Sequence, residues 1–190
     1  MALPSALPHD WTNAPCLDLI NSRWSDHLGS GQHYDRLPLP VFRRAFLKRW
    51  GYRVGDPDDA AGLARLRSLR AFLRGVLEQY IAGRPLTQSA RRRLESEINW
   101  APISMRLVSS PEGFVLSAGR SGATWDVVIS EIATSAARLM SERASVKVCA
   151  NPACSWMFTD ETRPRTRRWC NVSVCGSLIN VRRHRAGRHD

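Results

Sequence analysis

The sequence predicts a mainly α-helical chain of the α+β class. A helical N-terminal domain over residues 1–143, with a small β-hairpin, precedes a small four-cysteine module over 144–190 that ends in a basic helix. Three observations predict this. Apolar residues recur at helical spacing through three stretches of the first part, and two β-prone runs flank a Ser-Pro-Glu-Gly turn. Four of the five cysteines fall within 27 residues near the C-terminus. Of the 190 residues, 43% are apolar, enough for a packed core and too many for a disordered chain.

Taken in order, PCLDLINS (residues 15–22) is an apolar run too short to assign as helix or strand by periodicity. Residues 24–39, rich in Gly, Ser, His and Asp, read as a loop. Pro40 sits like a first-turn proline, and Val41, Phe42, Ala45, Phe46 and Trp50 follow at helical spacing before Gly51 stops the run. The next helix has Asp56 as its expected N-cap, an inward stripe of Leu63, Leu66, Leu69, Phe72, Leu73, Val76, Leu77 and Tyr80, and Gly83 as its stop. Thr87 caps a basic helix to about Trp100, MRLVSSPEGFVLSAG forms the hairpin, and residues 125–143 return to helical spacing.

Composition narrows the partners. The net charge is +11, which brings polyanions into consideration. Residues 144–190 carry nine Lys and Arg against three Asp and Glu, so the last quarter of the chain holds more than half of the excess. Nearly all of it is arginine, whose planar fork suits phosphate, although Lys48 and Lys147 are the only lysines and arginine is favoured throughout. The N-terminus lacks a basic n-region and an apolar run of signal-peptide length, and nothing approaches the roughly 18 apolar residues of a membrane span. A cytoplasmic protein without membrane contact is the expectation.

In a reducing compartment, clustered cysteines point to metal rather than to disulfides. Cys149, Cys154, Cys170 and Cys175 form two C-x4-C pairs with fifteen residues between them. Each pair lets one turn present two thiolates, and two such turns close a tetrahedron around one structural Zn2+. A polar, arginine-rich segment offers no core in which four thiols could hide, and the C-x-x-C of redox centres is absent. Cys16 is left over as an inert core thiol.

Arg167 and Arg168 flank Cys170, where they could offset the negative charge of a tetrathiolate centre or contact nucleic acid. Trp156, Phe158 and Trp169 read as a miniature core, with base stacking as the other use of such rings. After Cys175, GSLINVRRHRAGRHD predicts a short helix starting near Ser177, with Leu178 and Val181 on one side and Asn180, Arg183 and His184 on the other. The nucleic-acid candidates are Arg165, Arg167, Arg168, Asn180, Arg182, Arg183, Arg185 and Arg188; a solvated basic tail is the alternative.

At these residues the sequence resembles bacterial proteins with a C-terminal CGNR zinc finger behind an N-terminal ABATE domain, a family of stress-induced transcription regulators. The matching positions are Cys149, Asn151, Pro152, Cys154, Trp156, Phe158, Asp160, Arg167, Arg168, Trp169, Cys170, Cys175 and Gly176. Ser177 and Leu178 stand where the family usually has Asn and Arg, which leaves the zinc ligands in place and removes any contact made by those two side chains. CLDLINS resembles the family's L-D-x-x-N-T, placing Asp18 and Asn21 in that pattern as ligand-binding candidates or as a buried pair that pins a turn. The resemblance implies a DNA-binding finger and an N-terminal domain that senses a small-molecule effector or forms a homodimer. No histidine spacing joins His9, His27 or His33 to a nucleophile, so no enzyme is expected.

Overall fold

The computed structural model describes residues 11–186, and the helices enclose one principal core. At its centre lies α1 (Pro15–Asn21), all seven of whose residues are buried. A helix buried on every side has no polar face, so its sequence carries no amphipathic period to read. It packs against α3 (Ala60–Ile81), α5 (Trp125–Ser141) and a short strand of the C-terminal region, while α2 (Pro40–Arg49) and α4 (Gln88–Asn99) flank the bundle.

Local signals account for most helix ends. Pro40 opens α2, Gly51 and Gly83 adopt positive φ beyond α2 and α3, and Thr87 caps α4 by accepting from the Ala90 N–H at 3.2 Å. The cap of α3 is Asp59, which accepts from Gly62 N at 2.6 Å, and not the expected Asp56. Asp56 instead accepts from Asp58 N in the preceding turn. Gly62 then allows α3 to approach α5: a Cβ there would lie 2.4 Å from the Trp125 ring. On α2, Val41 is 72% exposed rather than internal, and Arg43 is buried in its stead. The Arg43 guanidinium donates to the Leu37, Pro38 and Pro57 carbonyls and to Asp58, closing the turns around the helix.

Three antiparallel two-stranded sheets complete the fold. The stretch expected as a loop contains β1 (Arg23–Ser25) and β2 (His33–Asp35), paired Trp24 to Tyr34. The expected hairpin consists of β3 (Ser104–Ser110) and β4 (Gly113–Gly119), with Leu107 opposite Leu116. Met105, Leu107, Phe114 and Leu116 share one of its faces and are 58–70% exposed. In the C-terminal region β5 (Val146–Val148) pairs with β6 (Met157–Thr159), and a π-helical turn at Val172–Gly176 leads into α6 (Ser177–Ala186). Among the described residues no helix is long and apolar enough to cross a membrane.

The C-terminal region is fastened to the body through its backbone. Asn21, 1% exposed at the end of α1, donates from Nδ2 to the Met157 carbonyl (2.8 Å) and accepts at Oδ1 from the Met157 N–H (2.9 Å). Its side-chain amide thereby takes the place of a neighbouring strand on β6. Val146 and Met157 enter the principal core, while Trp24 of β1 is buried with the cysteines, Trp156 and Phe158. Arg36 joins the two clusters, its guanidinium lying 5.1 Å from the Trp24 ring, 4.7 Å from Phe42 and 5.8 Å from Trp156.

Asn21→Ala leaves a buried N–H and a buried carbonyl of Met157 without partners, at about 1–3 kcal/mol each. The expected outcome in thermal or urea unfolding is a loss of about 2–4 kcal/mol. Asn21→Asp sets a buried carboxylate oxygen against the Met157 carbonyl and should be at least as destabilising at neutral pH, with part of the loss recovered on acidification as the carboxyl protonates and donates.

Candidate metal centre

Two turns bring the four cysteines together. The first follows β5: Cys154 N donates to Asn151 O at 2.8 Å, Ala153 N donates to Asn151 Oδ1 at 3.1 Å, and Cys149 N reaches across to Trp156 O at 2.9 Å. The second is capped by Asn171, whose Oδ1 accepts from Ser173 N (2.9 Å) and Val174 N (3.2 Å), turning the chain so that Cys175 faces Cys170. The four cysteines are buried, and their Sγ atoms all lie within 4.8 Å of one another. Sγ of Cys170 is 3.8 Å from that of Cys154 and 3.6 Å from that of Cys175. Zn–S bonds of about 2.3 Å set tetrahedral S···S edges of about 3.8 Å, so the donor set fits zinc.

Two N–H donors point at the sulfurs and favour their thiolate form: Cys170 N to Cys149 Sγ at 3.4 Å, and Asn151 Nδ2 to Cys175 Sγ at 3.6 Å. Asn151, fully buried, also donates to His27 O at 2.9 Å and so links the metal turn to the loop between β1 and β2. Gly176 fits closely beneath Trp169, where a Cβ would stand 3.0 Å from the ring.

The arginines divide into two groups. Arg167 donates from Nε to the Trp169 carbonyl (2.9 Å) and from its terminal nitrogen to the Cys170 carbonyl, with its guanidinium 4.7 Å from the Phe158 ring. It braces the backbone of the second turn and makes no hydrogen bond to sulfur, so any offset of the thiolate charge acts through space. Arg168 is exposed and lies 5.4 Å from the Trp169 ring, while Arg182 donates to Leu28 O at 2.5 Å and joins α6 to the body. Arg165, Arg183, Arg185 and Asn180 are exposed, and Arg188 lies outside the described residues. On α6, Leu178 and Ile179 are half-buried whereas Val181 is 47% exposed, so the helix is rolled relative to the expected pairing of Leu178 with Val181.

Sequence reasoning overlooked Lys147, one of two lysines in an arginine-rich chain; that rarity was the available signal. Its ammonium donates to Asp160 Oδ2 (2.6 Å) and to the carbonyls of Arg165 (2.6 Å) and Arg167 (3.0 Å). A compact three-donor group meets three converging acceptors where a planar fork would not. Asp160 also accepts from Thr162 and from Arg167 N, and despite its desolvation these contacts hold its carboxyl well below the usual range. Together the pair folds the basic loop 161–167 over β5 and β6.

Asp18 and Asn21 both direct their polar atoms at protein groups. Asp18, 2% exposed, accepts from Thr12 N (2.5 Å) and Trp50 Nε1 (3.0 Å) and lies 3.5 Å from Arg49 Nε. Burial raises its pKa. His33 sits apart from this pair on β2, where its Nδ1 is 3.1 Å from Ser25 Oγ. Cys16 is wholly buried in the principal core, which pushes its pKa up to about 12.

A closed tetrathiolate cage formed by two knuckle-like turns and docked on a helical body defines a zinc-binding finger protein of regulator type. Comparison with family models is consistent at both ends of the chain. Residues 145–188 match the CGNR zinc finger, and residues 13–143 match ABATE, described as "Putative stress-induced transcription regulator". The chain belongs to the ABATE family and carries a CGNR zinc finger. Among curated proteins no relative matches it.

Thiol titration with an aromatic disulfide should separate the two cysteine classes. In the metal-loaded protein at pH 8 all five thiols should react slowly; chelation should release Cys149, Cys154, Cys170 and Cys175 to fast reaction. Cys16, buried and with its pKa near 12, should react only on unfolding.

Proposed function

We propose that the protein is a cytoplasmic, non-catalytic transcription regulator whose finger, stabilised by one structural zinc ion, binds DNA chiefly through phosphate contacts. The observation that carries this reading is the surface of the finger: Arg165, Arg168, Arg183 and Arg185 are exposed and have no ion-pair partner among the described residues. Four sulfurs fill a zinc tetrahedron and leave no position for water or substrate, so the metal's role is to hold the surface in shape. Asn180 and His184 lie on the outer side of α6 with Arg183, available to base edges, whereas Arg167 and Arg182 serve the internal structure. The Ser177 and Leu178 variation removes one cation and shortens one polar side chain at the start of that helix, which shifts the interface toward the remaining arginines.

Binding to duplex DNA, followed by fluorescence anisotropy, should weaken with salt at a slope of roughly −0.9 per phosphate neutralised. Arg183→Ala and Arg185→Ala should each reduce that slope by about 1 while leaving the unfolding midpoint unchanged. Salt-independent association would refute the reading.

The same regulator is proposed to act as a homodimer, with the apolar face of β3–β4 as its interface. Met105, Leu107, Phe114 and Leu116 are each more than half exposed and form a contiguous apolar patch of the kind that marks an interaction surface. The face bears no charge, as the two ionisable residues nearby, Arg106 and Glu112, lie on the opposite face and in the turn. Two copies paired through this face about a two-fold axis would cover it on both and present two fingers to two half-sites. Sedimentation at micromolar concentration should give a dimer for the parent protein and a folded monomer for Leu107→Ser with Phe114→Ser. A monomeric parent would overturn the dimer and assign the face to a different protein.

A further inference from the structure

Between the middle of α3, the β1–β2 hairpin and the residue following Cys154 lies a cavity of about 630 Å3, within the range of small-molecule sites. Its walls combine two chemistries. Ala71 supplies apolar surface, with Ile20 and Trp24 buried behind the wall, and the rim carries Arg23, Arg67, Arg70 and Arg74 together with His33. Two of these arginines are already neutralised. Arg70 makes a bidentate pair with Asp35 at 2.7 and 2.6 Å, and Arg74 pairs with Glu78 at 3.0 Å. Burial alone would raise the Asp35 pKa, but Arg70 holds it below the usual carboxylate range, so the pair stays charged. Arg23 and Arg67 have no ion-pair partner among the described residues. Arg67 lies within electrostatic reach of Asp35, so the cavity faces two cations that make no direct ion pair, Arg23 and Arg67, beside the Arg70–Asp35 pair.

Gly75 is a second, independent observation. It stands in the interior of a 22-residue helix, where glycine costs about 1 kcal/mol relative to alanine. Its φ is ordinary, and a Cβ built on it would meet no atom within 4 Å. Neither backbone strain nor a close approach calls for glycine here, and what its missing side chain leaves is room in the cavity it lines.

We propose that this cavity binds a small organic anion, a carboxylate or phosphate head on an apolar body. Arg23 and Arg67 receive the head, and the body lies along Ala71 and Gly75. The site touches the finger directly: Arg74 donates to Ser155 O at 3.1 Å, and Ser155 Oγ accepts from Ser25 N at 3.0 Å, one residue beyond the zinc ligand Cys154. An anion held by Arg23 bears on β1, whose Ser25 lines the same cavity and donates its N–H to Ser155 Oγ, so occupancy is transmitted to the metal turn. That last step rests on the DNA-binding reading, whereas binding of the anion does not.

The test is calorimetric titration of the full-length zinc-loaded protein with phenyl phosphate and with benzoate at constant ionic strength, using benzamide and inorganic phosphate as controls. The expected result is one saturable site for at least one of the two anions, with at least tenfold weaker binding of both controls. Gly75→Leu, which fills the cavity, and Arg67→Ala should each weaken that binding at least tenfold, with zinc content unchanged and the melting temperature of Gly75→Leu not lowered. Failure of both anions to bind, or equal binding to the two variants, overturns the site. DNA anisotropy with and without the bound anion then reads the coupling: a change of threefold or more that is lost in Gly75→Leu supports it, and an unchanged affinity overturns the coupling while leaving the site in place. Absence of DNA binding in the anion-free protein would count against the regulator reading alone.

Discussion

The architecture depends on one side-chain amide standing in for a β-strand. Asn21 ends a helix that is buried on every side, and it satisfies both backbone groups of Met157 at the edge of the finger's short sheet. A three-residue strand has few ladder bonds of its own, and an open edge inside a protein would leave polar groups stripped of water. The amide closes that edge with one donor and one acceptor at fixed spacing. It thereby determines where the cysteine turns sit relative to the helices.

Once this edge is closed, the boundary between the two family matches ceases to be a boundary in packing. Trp24 belongs to the body by sequence and to the cysteine cluster by burial, while Val146 and Met157 do the reverse. Arg36, surrounded by rings from both clusters, places a cation at their junction. A finger of this size cannot bury enough apolar surface alone, and here both the metal centre and the body complete its core. Movement of β1–β2 is consequently felt at Asn151 and Ser155, on either side of Cys154.

Charge follows the same logic of local employment. A basic composition suggests a polyanion partner, yet the arginines nearest the metal have tasks that sequence counting cannot separate. Arg167 holds carbonyls of the second turn, Arg182 holds a carbonyl of the body, and Lys147 gathers the basic loop. The positive surface that remains on the finger is smaller than its charge suggests, and it lies on α6 and on the loop preceding Cys170.

Much was legible in the sequence. The zinc donor set could be read because ligand spacing is local: two residues of a turn must lie a few positions apart whatever surrounds them. The α3 stripe, the Thr87 cap and the β3–β4 turn are likewise properties of neighbours in the chain. Helix α1 and strands β1 and β2 were not legible, since a fully buried helix has no period and three-residue strands are defined by their partners. Asn21, Lys147 and the cavity beside Gly75 have meaning only through residues 13 to more than 130 positions away. The sequence by itself determined the metal site, the main helices and the sign of the charge. Only the tertiary structure decided which polar groups are used internally and which remain for a ligand, because hydrogen-bond partners are assigned by proximity in space and not along the chain.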